Sequence, residues 1–232
     1  MIGTRSARPR ELEKQELRTR DQRELIPTKA TMNEPFLPPI EKPKGLIMNL
    51  VYAMSRWQFG KVLTPVKVYA ARMPNGFGTF FGKVSTLDKK LLLPRETVFL
   101  IREQVARTNV CLFCTDIGRA FVIKESMNEA KFDALDEYQT SSLFSDAERA
   151  ALDYATELTR DKRVSQGTFD RLASYYSERE ICDIVWLVSS EHLYNITNIG
   201  LNIHSDLLCD ITRKSRTTRA SAQVVSASPA GK

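Results

Sequence analysis

Residues 177–203, SEREICDIVWLVSSEHLYNITNIGLNI, decide the fold. Ser177 followed three residues later by Glu180 is a capping box: the serine hydroxyl accepts from the third helical amide and the glutamate reaches back to the serine amide. Behind it Ile184, Leu187, Glu191, Asn195 and Asn198 advance by three or four residues, the period of one helical face. That face starts apolar and turns polar without changing direction. Buried polar groups at its far end require partners.

The same period recurs outward from this segment. It predicts helices over 46–59, 65–73, 76–88, 94–108, 111–124, 128–138, 146–160 and 166–176, in addition to 178–203. Ser145 and Glu148 form a second capping box, and Pro94 suits a first helical position, where a missing amide hydrogen costs nothing. No run alternates in the manner of a strand and no internal repeat is visible. The fold class is all-α, a multi-helix bundle.

A chain of 232 residues with 42% hydrophobic content can bury one sizeable core. Its formal charge of +6 is unevenly placed: residues 1–31 carry a net +3 and residues 213–232 a net +5, leaving 32–212 at −2. The folded part is therefore not a basic surface, and no aromatic-basic interleaving suggests a base-stacking platform, so nucleic acid is not an expected partner. Both ends are too polar to offset chain entropy, and disordered tails are expected over 1–31, with a short exposed helix at 10–24, and over 211–232. Pro35, Pro38, Pro39 and Pro43 make an extended arm, a strap over this surface or a neighbour's. The longest apolar stretch, 45–54, is about half the roughly 20 residues of a membrane span, and no apolar signal segment opens the chain. Four cysteines are too few for a disulfide-stapled secreted module, which points to a reducing cytoplasm and no membrane partner.

Cys111-Leu112-Phe113-Cys114 is the sharpest chemical feature. With Cys111 at a helix start, Cys114 lies one turn on along the same face, within reach of disulfide geometry. A helix N-terminus also stabilises a thiolate. These are the requirements of a redox pair. The alternatives are half of a zinc site or two packed small residues; Cys182, His192, His204 and Cys209 lack the paired spacing that zinc needs. Cys182, within ICDIVWLV, reads as a packed core thiol, and Cys209 as packed or as an additional thiol. His192 is a candidate proton carrier beside the polar stripe, against a structural or exposed histidine. Glu103 is a candidate general base, against an exposed helix charge.

The stretches VARTNVCLFCTDIGRAF (105–121), FSDAERAALDYATELTRD (144–161) and VSQGTFDRLASYYSEREICDIVWLVSSEHLYNITNIGL (164–201) together resemble the carboxymuconolactone decarboxylase superfamily. The C-x-x-C places the resemblance in its alkyl hydroperoxidase D-like branch. It implies a helical domain over 94–210, with 32–93 an arm and extra helices packed on it. It also implies assembly as a homo-oligomer, a trimer or hexamer, and a thiol peroxidase or disulfide reductase cycle with a redox-active disulfide as its only cofactor. The substrate would be a small hydroperoxide or disulfide, and a reducing protein or dithiol would restore the thiols. Carried across, Cys114 is the peroxidatic thiol and Cys111 the resolving one.

The chain departs from the family's proton relay. A glutamate twelve residues before the first cysteine and a histidine four after the second are replaced by Phe99 and Gly118. Glu103, Glu191 and His192 are the groups in this sequence that would take over the relay. Two other readings stand beside the redox one: a lyase or isomerase using the same acid-base residues, and an inactive oligomeric binding module. The aromatics of 46–92, among them Tyr52, Trp57, Phe59, Tyr69, Phe77, Phe80 and Phe81, either wall the pocket or pack the bundle, and packing is the default.

Overall fold

In the computed structural model, which describes residues 34–227, regular structure is helical throughout. α1 (Leu46–Phe59) buries Met48, Tyr52 and Ser55 and stops at Gly60, whose φ of 76° is the left-handed conformation glycine adopts freely; its amide donates to Arg56 O at 2.8 Å. A π-helical turn (Val66–Ala70) stands where periodicity predicts a helix over 65–73, and α2 (Pro74–Asp88) follows with proline at its start. α3 (Arg95–Thr108) and α4 (Leu112–Lys124) come next; Pro94 is the residue before α3, not its first.

The predicted helix over 128–138 is a short α5 (Glu129–Asp133) that tightens into a 3-10 turn (Ala134–Glu137). The tightening brings Phe132 and Leu135, three residues apart, into the core together. α6 (Asp146–Asp161), α7 (Gln166–Ala173) and α8 (Glu178–Gly200) complete the centre, and both capping boxes are formed as their sequences predict. α3 lies in the middle, packed on α4, α6 and α8. Its Ile101 and Val105 meet Ala151, Ala155, Ile184 and Leu187 in one cluster.

Three further expectations are corrected. Helix α9 runs over Leu208–Ala227, where composition predicts a disordered tail from 211. The composition argument misses a tertiary cap: Asp116 of α4 accepts from the amides of Leu208 at 2.9 Å and Cys209 at 3.0 Å, neutralising the first free donors of α9. Arg213 and Arg216 then bind Glu129 and the Ile123 carbonyl. Secondly, α8 ends at Gly200 rather than 203. Thirdly, Cys182 is exposed, because it shares the outward stripe of Val185, Ser189, Leu193 and Ile196 rather than the buried one. Cys209 is half-buried. The expectations for 1–31 fall outside the described residues, as does the Phe77 side chain.

The proline-rich arm lies on its own chain. Phe36 N donates to Leu201 O at 3.0 Å, Ile40 N to Lys67 O at 3.1 Å and Tyr52 Oη to Ile40 O at 2.6 Å. Among the described residues no helix is long and apolar enough to cross a membrane.

Candidate active site

Cys111 caps the N-terminus of α4 in an extended conformation, one residue after Val110, whose φ of 56° is strained for a β-branched residue. Cys114 lies in the first turn of α4, so the pair meets at the positive end of a helix. Both thiols are free and buried, but they are not equivalent. Cys114 lines a cavity of about 990 Å³, and Cys111 sits behind it in the core formed by Ala106, Phe113 and Ala120.

The thiols share a hydrogen bond, and this separates their acidities. The Cys114 S–H steadies a charge on Cys111 and draws the Cys111 pKa down, whereas Cys114, which would lose that proton, is pushed up, further so by burial. One proton therefore leaves the pair readily and the second with difficulty. Asn198 Nδ2 donates to Cys114 Sγ at 3.3 Å, and the Cys114 thiol reaches the Glu191 carboxylate.

Glu191, Asn195 and Asn198 arrive together because the stripe of α8 keeps its direction, as the sequence pattern predicts; all three are buried. Their partners are now visible. Arg102 Nη1 donates to Glu191 Oε2 at 3.0 Å and Asn195 Nδ2 to Glu191 Oε1 at 2.8 Å, while Asn109 Nδ2 donates to Asn195 Oδ1 at 2.8 Å. Burial raises the Glu191 pKa, against the pull of Arg102.

Glu103 forms a second polar station in the same cavity. It is 2% exposed, and Arg107 Nε donates to its Oε1 at 3.2 Å. Its Oε2 is buried with no hydrogen-bond partner. Burial lifts its pKa to about 7, opposed by Arg107 and Arg119. A Cβ built on Gly118 would sit 2.7 Å from that oxygen, so the absence of a side chain at 118 is what gives Glu103 its space.

His192 goes elsewhere. It is half-buried on the flank of α8, with Nδ1 3.4 Å from Asn109 Nδ2, and is not among the cavity-lining residues. Burial, then Lys162, lowers its pKa. The site therefore brings Cys114, Glu191 and Glu103 to one cavity, with Cys111 in the core behind Cys114, and leaves His192 outside it. Arg102 and Asp88 were not singled out by sequence; the signal that was available is an arginine directly preceding Glu103 on a helix facing the C-x-x-C.

The remaining cavity wall is mostly apolar, aliphatic and aromatic together, and four helices supply rings to it: Phe80 and Phe81 from α2, Phe99 from α3, Phe113 and Phe121 from α4, and Tyr194 from α8. Phe81 and Tyr194 meet with their rings tilted at 35° and centroids 5.0 Å apart. Of the other aromatics of 46–92, Tyr69 lines the cavity, Tyr52 packs in the core, Phe59 meets Phe121 edge-on and Trp57 is exposed. Among the described residues no group of three His, Cys, Asp or Glu side chains is placed to hold a metal ion.

No protein-family model matches the chain. It is 29% identical over 181 residues to the uncharacterized protein YnjA of Escherichia coli (strain K12), across 77% of this chain and 98% of that protein. The debrominase Bmp8 in complex with 2,3,4-tribromopyrrole superposes with a TM-score of 0.64 at 20% identity, over 77% of this chain and 96% of Bmp8. An uncharacterized peroxidase-related protein from Ralstonia eutropha JMP134, described as an alkylhydroperoxidase AhpD core, superposes with a TM-score of 0.62 at 19% identity, over 76% of this chain and 97% of its own.

Proposed function

We propose that this chain, which has the all-helical fold of the AhpD-like, peroxidase-related proteins of the carboxymuconolactone decarboxylase superfamily, is a thiol-dependent oxidoreductase working through Cys114 and Cys111. The observation that carries the reading is the asymmetric burial of the pair: one thiol at a cavity wall with an acid-base partner, the other directly behind it. Glu191 takes the one proton that the hydrogen-bonded pair gives up readily, and the proton that remains between the sulfurs passes to Cys111, so that the charge lies on Cys114 at the cavity wall. The thiolate attacks the outer oxygen of a hydroperoxide, the O–O bond breaks, and the leaving alkoxide takes the proton back from Glu191. Cys111 then attacks the Cys114 sulfenic acid, expelling water and closing a disulfide. The balance is one hydroperoxide and two thiols in, one alcohol, one water and one disulfide out; an external dithiol or reducing protein completes the cycle. No metal or organic cofactor enters.

Glu103 supports the cycle as a second proton store, since a carboxyl titrating at about 7 exchanges protons at neutral pH. The aromatic walls favour an apolar, ring-sized substrate. They also favour a second reading, prompted by Bmp8 being named a debrominase, in which the dithiol of this chain removes bromine from a brominated ring: one aryl bromide and two thiols give the arene, hydrogen bromide and the disulfide.

The cycle suits a reducing cytoplasm. A homo-oligomer is supported by α1, whose Leu46, Leu50, Met54 and Trp57 form one outward stripe, 86, 67, 55 and 86% exposed. Intact mass tests the function. One equivalent of cumene hydroperoxide removes two mass units, mapped to Cys111 and Cys114; Cys114→Ser abolishes this, and Cys111→Ser accumulates sulfenic acid. Thiols that stay free for hours with hydroperoxide and bromoarene alike exclude both redox readings and leave acid-base chemistry or binding.

A further inference from the structure

α2 ends on a residue that a helix C-terminus disfavours. Asp88 is its last residue, where the helix dipole opposes a carboxylate, and its partners come from other helices. Trp186 Nε1 of α8 donates to Asp88 Oδ1 at 3.1 Å, and Arg102 Nη2 of α3 donates to Asp88 Oδ2 at 2.8 Å. The other terminal nitrogen of Arg102 is the one that binds Glu191. A single guanidinium is thus divided between the carboxylate at the end of α2 and the carboxylate beside Cys114. The rest of α2 is lightly held: Val84 is its one buried side chain among the described residues, Phe80 and Phe81 lie half-exposed over the cavity, and Cβ positions at Gly78 and Gly82 would face open space.

We propose that Asp88 is a positioning residue for Cys114: by sharing Arg102 with Glu191 it keeps Glu191 basic enough to take the Cys114 proton, and it makes that transfer depend on α2 lying over the cavity. The inference rests on Cys114 as the attacking thiol of the proposed cycle. The step is a proton transfer alone, from Cys114 S–H and a Glu191 carboxylate to a Cys114 thiolate and a Glu191 carboxylic acid. A guanidinium divided between two carboxylates stabilises the charge of each less than it would stabilise one. Removing the Asp88 charge leaves Arg102 to Glu191, favours the ionised carboxylate and weakens it as a base. The charged and titratable groups facing Glu191 are Arg102 and Glu103 from α3, Cys111 and Cys114 from α4, Tyr194 on α8 and, through Arg102, Asp88 from α2. Asp88 is the member of this set that belongs to α2.

Alkylation of Cys114 by iodoacetamide reads the transfer directly. It is followed across pH 4–9 in the reduced full-length Cys111→Ala chain, with peptide mass mapping to separate Cys114 from Cys182 and Cys209. Between the two titrations the thiolate population is set by the difference between the acidities of Glu191 and Cys114. Asp88→Asn is therefore expected to move the midpoint of the acid limb down and to lower the plateau by the matching factor, about tenfold per pH unit. Asp88→Glu restores both. Val84→Ala, which loosens the buried anchor of α2 and leaves every charge in place, shifts both in the same direction and covers the case in which Asp88→Asn does not fold. An unchanged profile, a midpoint that rises, or a midpoint and plateau that move independently overturns the proposal. Alkylation needs no peroxide: a chain inert to hydroperoxide that still shows the paired shifts loses the proposed activity and keeps this inference, and active turnover with a flat alkylation response does the reverse.

Discussion

The Glu103 carboxylate occupies the space in which a side chain at Gly118 would begin, with Oε2 2.7 Å from the Cβ position. Residues fifteen apart on two helices are thus mutually exclusive in size. Gly118→Ala forces the carboxylate, or α4 itself, to move, and such overpacking costs about 1–3 kcal/mol. The cost should vanish when Glu103→Ala is added. Urea melts of the two single variants, the double variant and the parent give the coupling energy; strictly additive effects would show that the two positions do not press on each other.

Glu103 also predicts a pH dependence of stability. Its folded-state pKa of about 7 lies above the 4.5 of the free side chain, so the folded chain holds this proton more tightly than the unfolded chain does. The resulting stabilisation is complete below pH 4.5 and is lost as pH rises to about 7, by roughly 3 kcal/mol. Glu103→Gln removes that loss. The stability difference between variant and parent should therefore shift in favour of the variant from pH 4.5 to pH 8, with Glu191 contributing equally to both. A difference independent of pH means that folding leaves the acidity of Glu103 unshifted.

Asn198 is the hydrogen-bond donor to the Cys114 sulfur. A hydrogen bond to a charged group contributes about 1.5–3 kcal/mol, and sulfur is a weak acceptor, so the lower end applies. Asn198→Leu is expected to slow Cys114 alkylation at pH 7 by about tenfold with an unchanged circular dichroism spectrum. An unaltered rate would mean that the amide serves packing alone.

The apolar stripe of α1 gives a prediction about assembly. Leu50→Asp and Trp57→Asp place charge on a surface whose neighbours are Leu46, Ile47 and Met54. If this face joins subunits, light scattering should report a smaller particle for both variants, with helix content retained. A mass identical to the parent's at equal concentration removes α1 from the interface.

The helices were legible because their signals are local. Capping boxes at Ser145 and Ser177 and a three-to-four-residue period act within a turn or two of chain, and they placed most boundaries within a few residues. The same locality exposed half of the site: the C-x-x-C brings its own sulfurs together, and the α8 stripe carries Glu191 and Asn198 on one face without reference to the rest of the molecule. Where the reading went astray, the deciding partner was distant in sequence. The composition of 211–227 argues for a disordered tail, and Asp116, more than ninety residues upstream, caps the helix that forms there. Cys182 has apolar neighbours in sequence and solvent in space, since neighbours in sequence lie 100° apart around a helix.

Tertiary structure alone decided the electrostatics. Whether Glu103 was an exposed charge or a buried acid depended on Gly118 and Arg107; whether His192 entered the cavity depended on the rotation of α8 against α3; and Arg102 became a bridge because α2 and α8 each deliver a carboxylate to it. Sequence periodicity fixes which face a residue occupies. The charge state of a side chain follows from burial and from partners on other helices, and these exist only once the bundle has closed.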